Sequence, residues 1–309
     1  MSVVVNNRNT GRSTMFAANP ADCKDKNNNG QIDTSQNKAN LLAWDTDECM
    51  IWSIVHPVAA GVAAGPRGVT WTPGEWSYDE CKYVNPKVWI GYLAANNTAK
   101  FAKVDGLTGV VEETLSAPNW AGSNYAPYGA ALDPQLRPWF SSLRGEFVRV
   151  NTDEVPATLT RVKPPASVQS YGFTVDEDGN AWFGGCSGPV TVYDQKSQTF
   201  TSVAGTSACH RGVAADSNFV WVASNGPCGL VQIDRENRTL IAKHVPAQCN
   251  TAIGLSIDLE KNVWLVDQGG YAWKFAPNNV PAMQKILVTG SHYVYSDMTG
   301  GQLQSVLPQ

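Results

Sequence analysis

The sequence predicts an all-β chain folded as a six-bladed β-propeller, with its N-terminal and C-terminal strands paired in one closing blade, a Velcro closure. Three observations predict it. Composition favours short strands and tight turns: 309 residues include 27 Gly, 18 Pro and 11 Trp, and no heptad or helical stripe orders the apolar positions. A glycine-entered apolar segment recurs along the chain, each copy followed by a tryptophan-centred strand. The two chain ends hold the pieces of one more copy.

The repeated segments are RGVTWT at Arg67, YGAALD at Tyr128, YGFTVD at Tyr171, RGVAAD at Arg211 and IGLSID at Ile253, four of which end in Asp. The strands that follow are centred on Trp89, Trp139, Trp182, Trp221 and Trp264. Third strands read AKVDG, VRVNT, VTVYD, VQIDR and AWKFA, and fourth strands follow, as at 198–203 and 239–245. Four strands per period describe one propeller blade. In the same frame Tyr295-Ser296-Asp297-Met298 takes the first-strand position of a sixth blade, with Ser296 in place of the glycine. Residues 3–6, 13–17 and 49–55 supply its second, third and fourth strands. Pairing the two ends removes open sheet edges. One domain spans 1–309, with 18–48 as an insertion in the closing blade.

A net charge of -4 and a pI near 5.6 provide no basic stripe for a phosphate backbone, which argues against nucleic-acid binding. No apolar stretch approaches membrane-spanning length. Strand-like sequence begins at once after Met1, so no secretory signal is read there.

The blade wording resembles the virginiamycin B lyase-like propellers, whose blades read approximately P-x-G-[IV]-[AT]-x-D-x-x-G-x-[IVL]-W-[FV]. The resemblance covers almost the whole chain and implies the propeller fold. Related propellers include lyases, lactonases, phosphotriesterase-like hydrolases and binding proteins, so fold alone does not choose a chemistry. His210 resembles the histidine of the P-H-x-I blade signature in streptogramin lyases. The Glu that often follows the Trp-Phe-Thr run in that group is here Tyr92, Ser142, Gly185, Ser224 and Asp267, of which only Asp267 is a carboxylate.

The insertion carries DKNNNGQIDTS, in which oxygen-bearing side chains recur at alternate positions as in a calcium loop. Asp25, Asn27, Asn29, Gln31 through its carbonyl, and Asp33 are the expected ligands, with Gly30 at the turn. Gln36 stands where such loops carry a bidentate Glu, so Asp47 or Glu48 is expected to fold back. Because the insertion joins third to fourth strand, it belongs to the face opposite the interblade loops, and its calcium is read as structural.

Seven cysteines suit an oxidising compartment, secreted or periplasmic. In the repeat frame Cys186 with Cys209, and Cys228 with Cys249, stand in the same relation one blade apart. Cys23 and Cys49 flank the insertion as a third pair, leaving Cys81.

The residue before each frame glycine should project toward the propeller axis at the top mouth. That ring reads Arg67, Tyr128, Tyr171, Arg211, Ile253 and Tyr295, guanidinium and phenol groups suited to a carboxylate, a phosphoryl oxygen or an oxyanion. Packing between blades is the structural alternative. Asp297 occupies a slot that is Val69, Ala130, Phe173, Val213 and Leu255 in the other repeats. The first functional expectation is a hydrolase of small esters, lactones or organophosphate triesters, with Asp297, Asp267 and His210 binding or activating water and room for a second divalent metal in the channel. The alternatives are a streptogramin lyase-like C–O lyase using His210 as base, and a noncatalytic propeller that binds a small-molecule ligand.

Overall fold

The computed structural model describes residues 2–37, 39–122, 124–288 and 290–291. Its antiparallel sheets form the six blades of a β-propeller, with almost no helix. Blade 1 comprises Ser2–Asn7, Arg12–Ala17 and Met50–Val55. Blade 2 comprises Val69–Thr72, Lys87–Ala94, Thr98–Asp105 and Val111–Ala117. Blade 3 comprises Gly129–Leu132, Pro138–Ser141, Phe147–Asn151 and Thr158–Val162. Blade 4 comprises Gly172–Val175, Ala181–Gly184, Thr191–Asp194 and Thr199–Ser202. Blade 5 comprises Ala208–Ala215, Phe219–Asn225, Gly229–Asp234 and Thr239–His244. Blade 6 comprises Ala252–Ile257, Val263–Asp267, Tyr271–Phe275 and Gln284–Leu287. The expected first strand of the closing blade, Tyr295 to Met298, lies outside the described residues.

Alternation within each strand sends one set of side chains to the preceding blade and the other to the following blade. Five apolar clusters result among the described residues, each shared by two consecutive blades. Met15 and Trp52 of blade 1 pack with Val88 and Ile90 of blade 2, and Trp89 and Phe101 of blade 2 pack with Phe140 and Val148 of blade 3. The series continues through Trp139 with Phe173, Trp182 with Val222, and Trp221 with Leu265. The repeated tryptophan therefore marks the face each blade turns to its successor.

A second repeated device explains the Asp that ends four of the first strands. Asp133, Asp176, Asp216 and Asp258 accept the indole N–H of Trp139, Trp182, Trp221 and Trp264 at 2.7 to 2.9 Å. Each also accepts backbone amides of the turn that follows, as Asp176 does from Asp178 and Asn180. One carboxylate thus orders a turn and satisfies a buried donor. In blade 2 the position is Thr72, and the turn is replaced by a hairpin of Glu75–Ser77 with Lys82–Val84 that the repeat frame did not anticipate.

The frame glycine has a steric cause. A Cβ at Gly172 would lie 1.6 Å from the Arg211 carbonyl oxygen of the next blade. First strands converge toward the axis, and at this position no side chain fits between neighbours.

Candidate functional site

At the top mouth the ring residues of four successive blades form a continuous arc. The Arg67 guanidinium carbon lies 5.4 Å from the Tyr128 ring centroid, Tyr128 lies 5.3 Å from Tyr171, and the Arg211 guanidinium carbon lies 5.3 Å from Tyr171. Tyr125 extends the arc, its ring 5.4 Å from Arg67 and 6.2 Å from Tyr128. Arg67 and Tyr128 are buried, and Tyr171 and Arg211 are half-buried. Stacking engages a guanidinium through its face, whereas its N–H donors lie in the plane, so stacking and anion binding use different parts of one group. Ile253, the fifth ring position, is fully buried and apolar. Tyr295 lies outside the described residues, as does Asp297.

Tyr125 falls outside the repeat frame, in the loop between blades 2 and 3. Its carbonyl accepts the Trp120 indole N–H at 3.1 Å, and Trp120 is in turn tied to Asn97, whose Nδ2 donates to the Trp120 carbonyl at 2.8 Å. A tyrosine three residues before Tyr128 was the available signal, but nothing local aims it at Arg67.

The acid–base candidates His210 and Asp267 lie within their blades. His210 is fully buried in the first strand of blade 5, its Nε2–H directed at the Thr206 carbonyl. Burial lowers its pKa, opposed in part by that bond, so the ring is neutral at pH 7. Asp267 is also fully buried. Its carboxylate accepts the amides of Asn250 at 2.9 Å, Thr251 at 2.8 Å and Gly269 at 2.9 Å, capping the loop that enters blade 6. The two residues share no hydrogen bond among those formed by the described residues.

A serine–histidine pair occurs at the top of blade 1, yet its hydrogen-bond polarity is wrong for a nucleophile. Asn6 Nδ2 donates to the Arg67 carbonyl at 2.9 Å, which leaves Asn6 Oδ1 to accept the Ser13 hydroxyl proton at 2.6 Å. Ser13 has no second proton, so His56 Nε2 must donate to Ser13 Oγ across their 2.8 Å contact. Burial takes the His56 pKa down to about 4, and the ring stacks on Tyr92 at 4.8 Å. The chain Arg67–Asn6–Ser13–His56 is a buried structural link between blades 1 and 2.

The calcium-loop residues are drawn together, with Gly30 at φ 81°. Asp25 accepts the Asn29 and Gly30 amides at 3.2 and 2.8 Å, and Asn27 and Asn29 each donate through Nδ2 to Asp33 Oδ2 at 2.9 Å. The Gln31 amide is held by Asn29 Oδ1 at 2.8 Å. Both trailing carboxylates fold back. Glu48, buried, accepts the amides of Lys26, Asn27 and Asp33, while Asp47 accepts the Thr34 hydroxyl and the Ser35 and Cys49 amides. Burial by itself would raise the Asp47 pKa; the bonds from Ser35, Cys49 and Thr34 outweigh it and hold the carboxyl below its ordinary value. The donor set is hard oxygen, which fits calcium chemically. Among the described residues, however, no three His, Cys, Asp or Glu side chains gather as a metal cage, either here or in the channel.

The insertion joins Ala17 to Met50, the end of blade 1 opposite the one carrying Asn6, Ser13 and His56. Six-residue strands put roughly 20 Å between those ends. Three disulfides form as the repeat frame predicts: Cys23–Cys49 across the insertion, Cys186–Cys209 and Cys228–Cys249. Cys81 is free and exposed. Three bridges are compatible with an extracellular or otherwise oxidising environment. Among the described residues no helix is long and apolar enough to cross a membrane.

No family model matches this chain, and no curated protein does. Among solved structures it is similar to the C-terminal WD40 domain of Sif2, with a TM-score of 0.58 and 13% identity over 94% of this chain and 70% of that one. It is also similar to a chain of a mitotic checkpoint complex, with a TM-score of 0.50 and 14% identity over 72% of this chain and 65% of that one. At such identities the likeness establishes a WD40-like β-propeller fold and nothing about chemistry.

Proposed function

We propose that this chain is a calcium-stabilised, noncatalytic propeller that binds a small anionic ligand at its top mouth. The observation that carries the reading is the arc Tyr125–Arg67–Tyr128–Tyr171–Arg211, which sets two guanidinium groups on either side of a tilted pair of phenols. Fixed cations flanking aromatic faces suit a carboxylate or phosphate on a flat or apolar body. The resemblance to virginiamycin B lyase-like propellers is compatible with a ligand at this mouth but does not extend to their acid–base set. The hydrolase reading sets Asp297, Asp267 and His210 at water and the lyase reading sets His210 at substrate; of these, His210 and Asp267 are fully buried and engaged by backbone groups, and Asp297 lies outside the described residues.

Asp25, Asn27, Asn29, Asp33 and the Gln31 carbonyl would hold the calcium, with Glu48 and Asp47 shaping the loop around it. Bound there, the ion would supply stability at the face away from the mouth, and no chemistry. A secreted or periplasmic location accords with the disulfides.

Calorimetric titration with benzoate, citrate and inorganic phosphate tests the ligand reading, run on the native protein and on Arg67→Ala and Arg211→Ala. Binding of at least one anion, weakened tenfold or more in both variants, is expected. In parallel, chromogenic esters and phosphotriesters should give no turnover above buffer. Turnover that disappears in His210→Ala, Asp267→Ala or Asp297→Ala would restore the hydrolase reading and overturn this one.

A further inference from the structure

Six blades set their ring positions around the channel at equal angles, so positions three blades apart face each other across it. Arg67 enters blade 2 and Arg211 lies in the first strand of blade 5, and the packing of each blade on its successor fixes that order. The two guanidinium groups of the mouth therefore stand on one diameter, with Tyr128 and Tyr171 on the half-circle between them. Successive members of this arc are 5.4, 5.3 and 5.3 Å apart. In a hexagon the radius equals the side, which puts the two guanidinium carbons about 11 Å apart across the channel. A bidentate carboxylate holds its carbon about 4 Å from the guanidinium carbon, so two carboxylates facing the two arginines stand about 3 Å apart, carbon to carbon. Malonate at about 2.5 Å and succinate at about 3 to 4 Å match this gap, whereas oxalate at about 1.5 Å is too short and extended adipate at about 6 Å too long.

We infer that the mouth selects a short linear dicarboxylate, of malonate or succinate length, whose two carboxylates pair with Arg67 and Arg211 across the channel while its methylenes lie against Tyr128 and Tyr171; this rests on the mouth being a ligand site. Both ends of the span are anchored. The Arg67 amide donates to the Gly91 carbonyl at 3.2 Å, and its own carbonyl accepts Asn6 Nδ2 at 2.9 Å. Beside Arg211, the His210 amide donates to the Gly185 carbonyl at 3.1 Å, and Cys209 is bridged to Cys186, which it directly opposes. That opposed strand, Cys186–Gly188, comes from the loop of blade 4 and joins the sheet of blade 5, so Arg211 is held between two blades. A fixed span discriminates by length, because a diacid that does not match it gives up one charge-assisted pair or distorts to keep both. Between the arginines the two phenol rings, 5.3 Å apart and tilted by 59°, offer an apolar wall to the methylenes.

The test is calorimetric titration of the native protein with oxalate, malonate, succinate, glutarate and adipate, alongside acetate, propionate, butyrate and diphosphate. Malonate or succinate should bind about tenfold more tightly than propionate or butyrate of the same length, because only the diacid engages both ends. Oxalate and adipate should each bind more weakly than that optimum by about threefold or more. In Arg67→Ala and in Arg211→Ala the length optimum should vanish and succinate should fall to the level of butyrate, whereas Arg211→Lys, which keeps a charge at that end, should still prefer the diacid. The length series is read on the native protein, so it stands even where an alanine variant does not fold. Diacids no tighter than monoacids, affinity that climbs steadily with chain length, or diphosphate preferred to every diacid would overturn the inference while leaving the mouth as an anion site. No anion bound at all would overturn both.

Discussion

Replacing Asp176 by Ala tests the device that repeats around the propeller. The carboxylate accepts the Trp182 indole N–H at 2.7 Å and the Asp178 and Asn180 amides at 3.0 and 2.9 Å, and Trp182 is fully buried. Leaving a buried indole N–H without an acceptor costs about 1 to 3 kcal/mol. The two amides belong to a turn whose Glu177 and Asp178 side chains are exposed, so water can replace their bonds at about 1 kcal/mol each. The expected loss is about 3 to 5 kcal/mol. Asp176→Asn keeps one acceptor oxygen and should lose about half of that. Denaturant unfolding followed by tryptophan fluorescence and by circular dichroism gives the midpoints, with Asp178→Ala as a control that removes only a solvent-exposed partner of Arg235. The reasoning is refuted if Asp176→Ala unfolds within about 0.5 kcal/mol of the native protein, or if the control costs as much.

Three further outcomes follow from buried and bridged groups. His56 has its pKa lowered from 6.5 to about 4 in the folded protein, so the unfolded chain binds the proton first. Its contribution is intact above pH 6.5 and falls as pH drops toward 4, by up to about 3 kcal/mol; His56→Gln should flatten that part of a stability–pH profile, and an unchanged slope would count against the burial argument. His210 and His244, also lowered by burial, leave a residual slope of the same sign. Chelator should lower Tm, restorably by calcium and not in Asp25→Ala, while anion binding at the mouth persists; identical melting with chelator and with millimolar calcium would remove the ion from the account. Alkylation of denatured, unreduced protein should label Cys81 alone, and reduction should expose the other six thiols and cost roughly 3 kcal/mol per bridge. Labelling of Cys186, Cys209, Cys228 or Cys249 before reduction would contradict the pairing.

The blades were legible because their positions are set by local rules repeated many times. A glycine where first strands crowd, an Asp that caps a turn and a Trp that faces the next blade recur at Gly172, Asp176 and Trp182 and again in the neighbouring blades. The disulfides were legible for the same reason, since Cys186 to Cys209 and Cys228 to Cys249 repeat one relation. The candidate site was legible only in part. Arg67, Tyr128, Tyr171 and Arg211 were found through their frame position, whereas Tyr125 lies outside the frame and meets Arg67 only through the folded loop between blades 2 and 3. The 75–84 hairpin escaped notice because strands of three residues carry too little alternation to register.

Sequence by itself determined the six-bladed plan, the placing of Arg67, Tyr128, Tyr171 and Arg211 on one arc, and the pairs Cys186–Cys209 and Cys228–Cys249, because each depends on a residue's place within one repeat. Only the tertiary structure decided the state of the titratable groups. Asp267 looks like a free carboxylate until the Asn250 and Thr251 amides arrive from the preceding loop, and Ser13 with His56 looks reactive until Asn6 Oδ1 accepts the hydrogen bond of the Ser13 hydroxyl. Burial and proton direction depend on partners brought together by the closing of blades, and no local pattern encodes them.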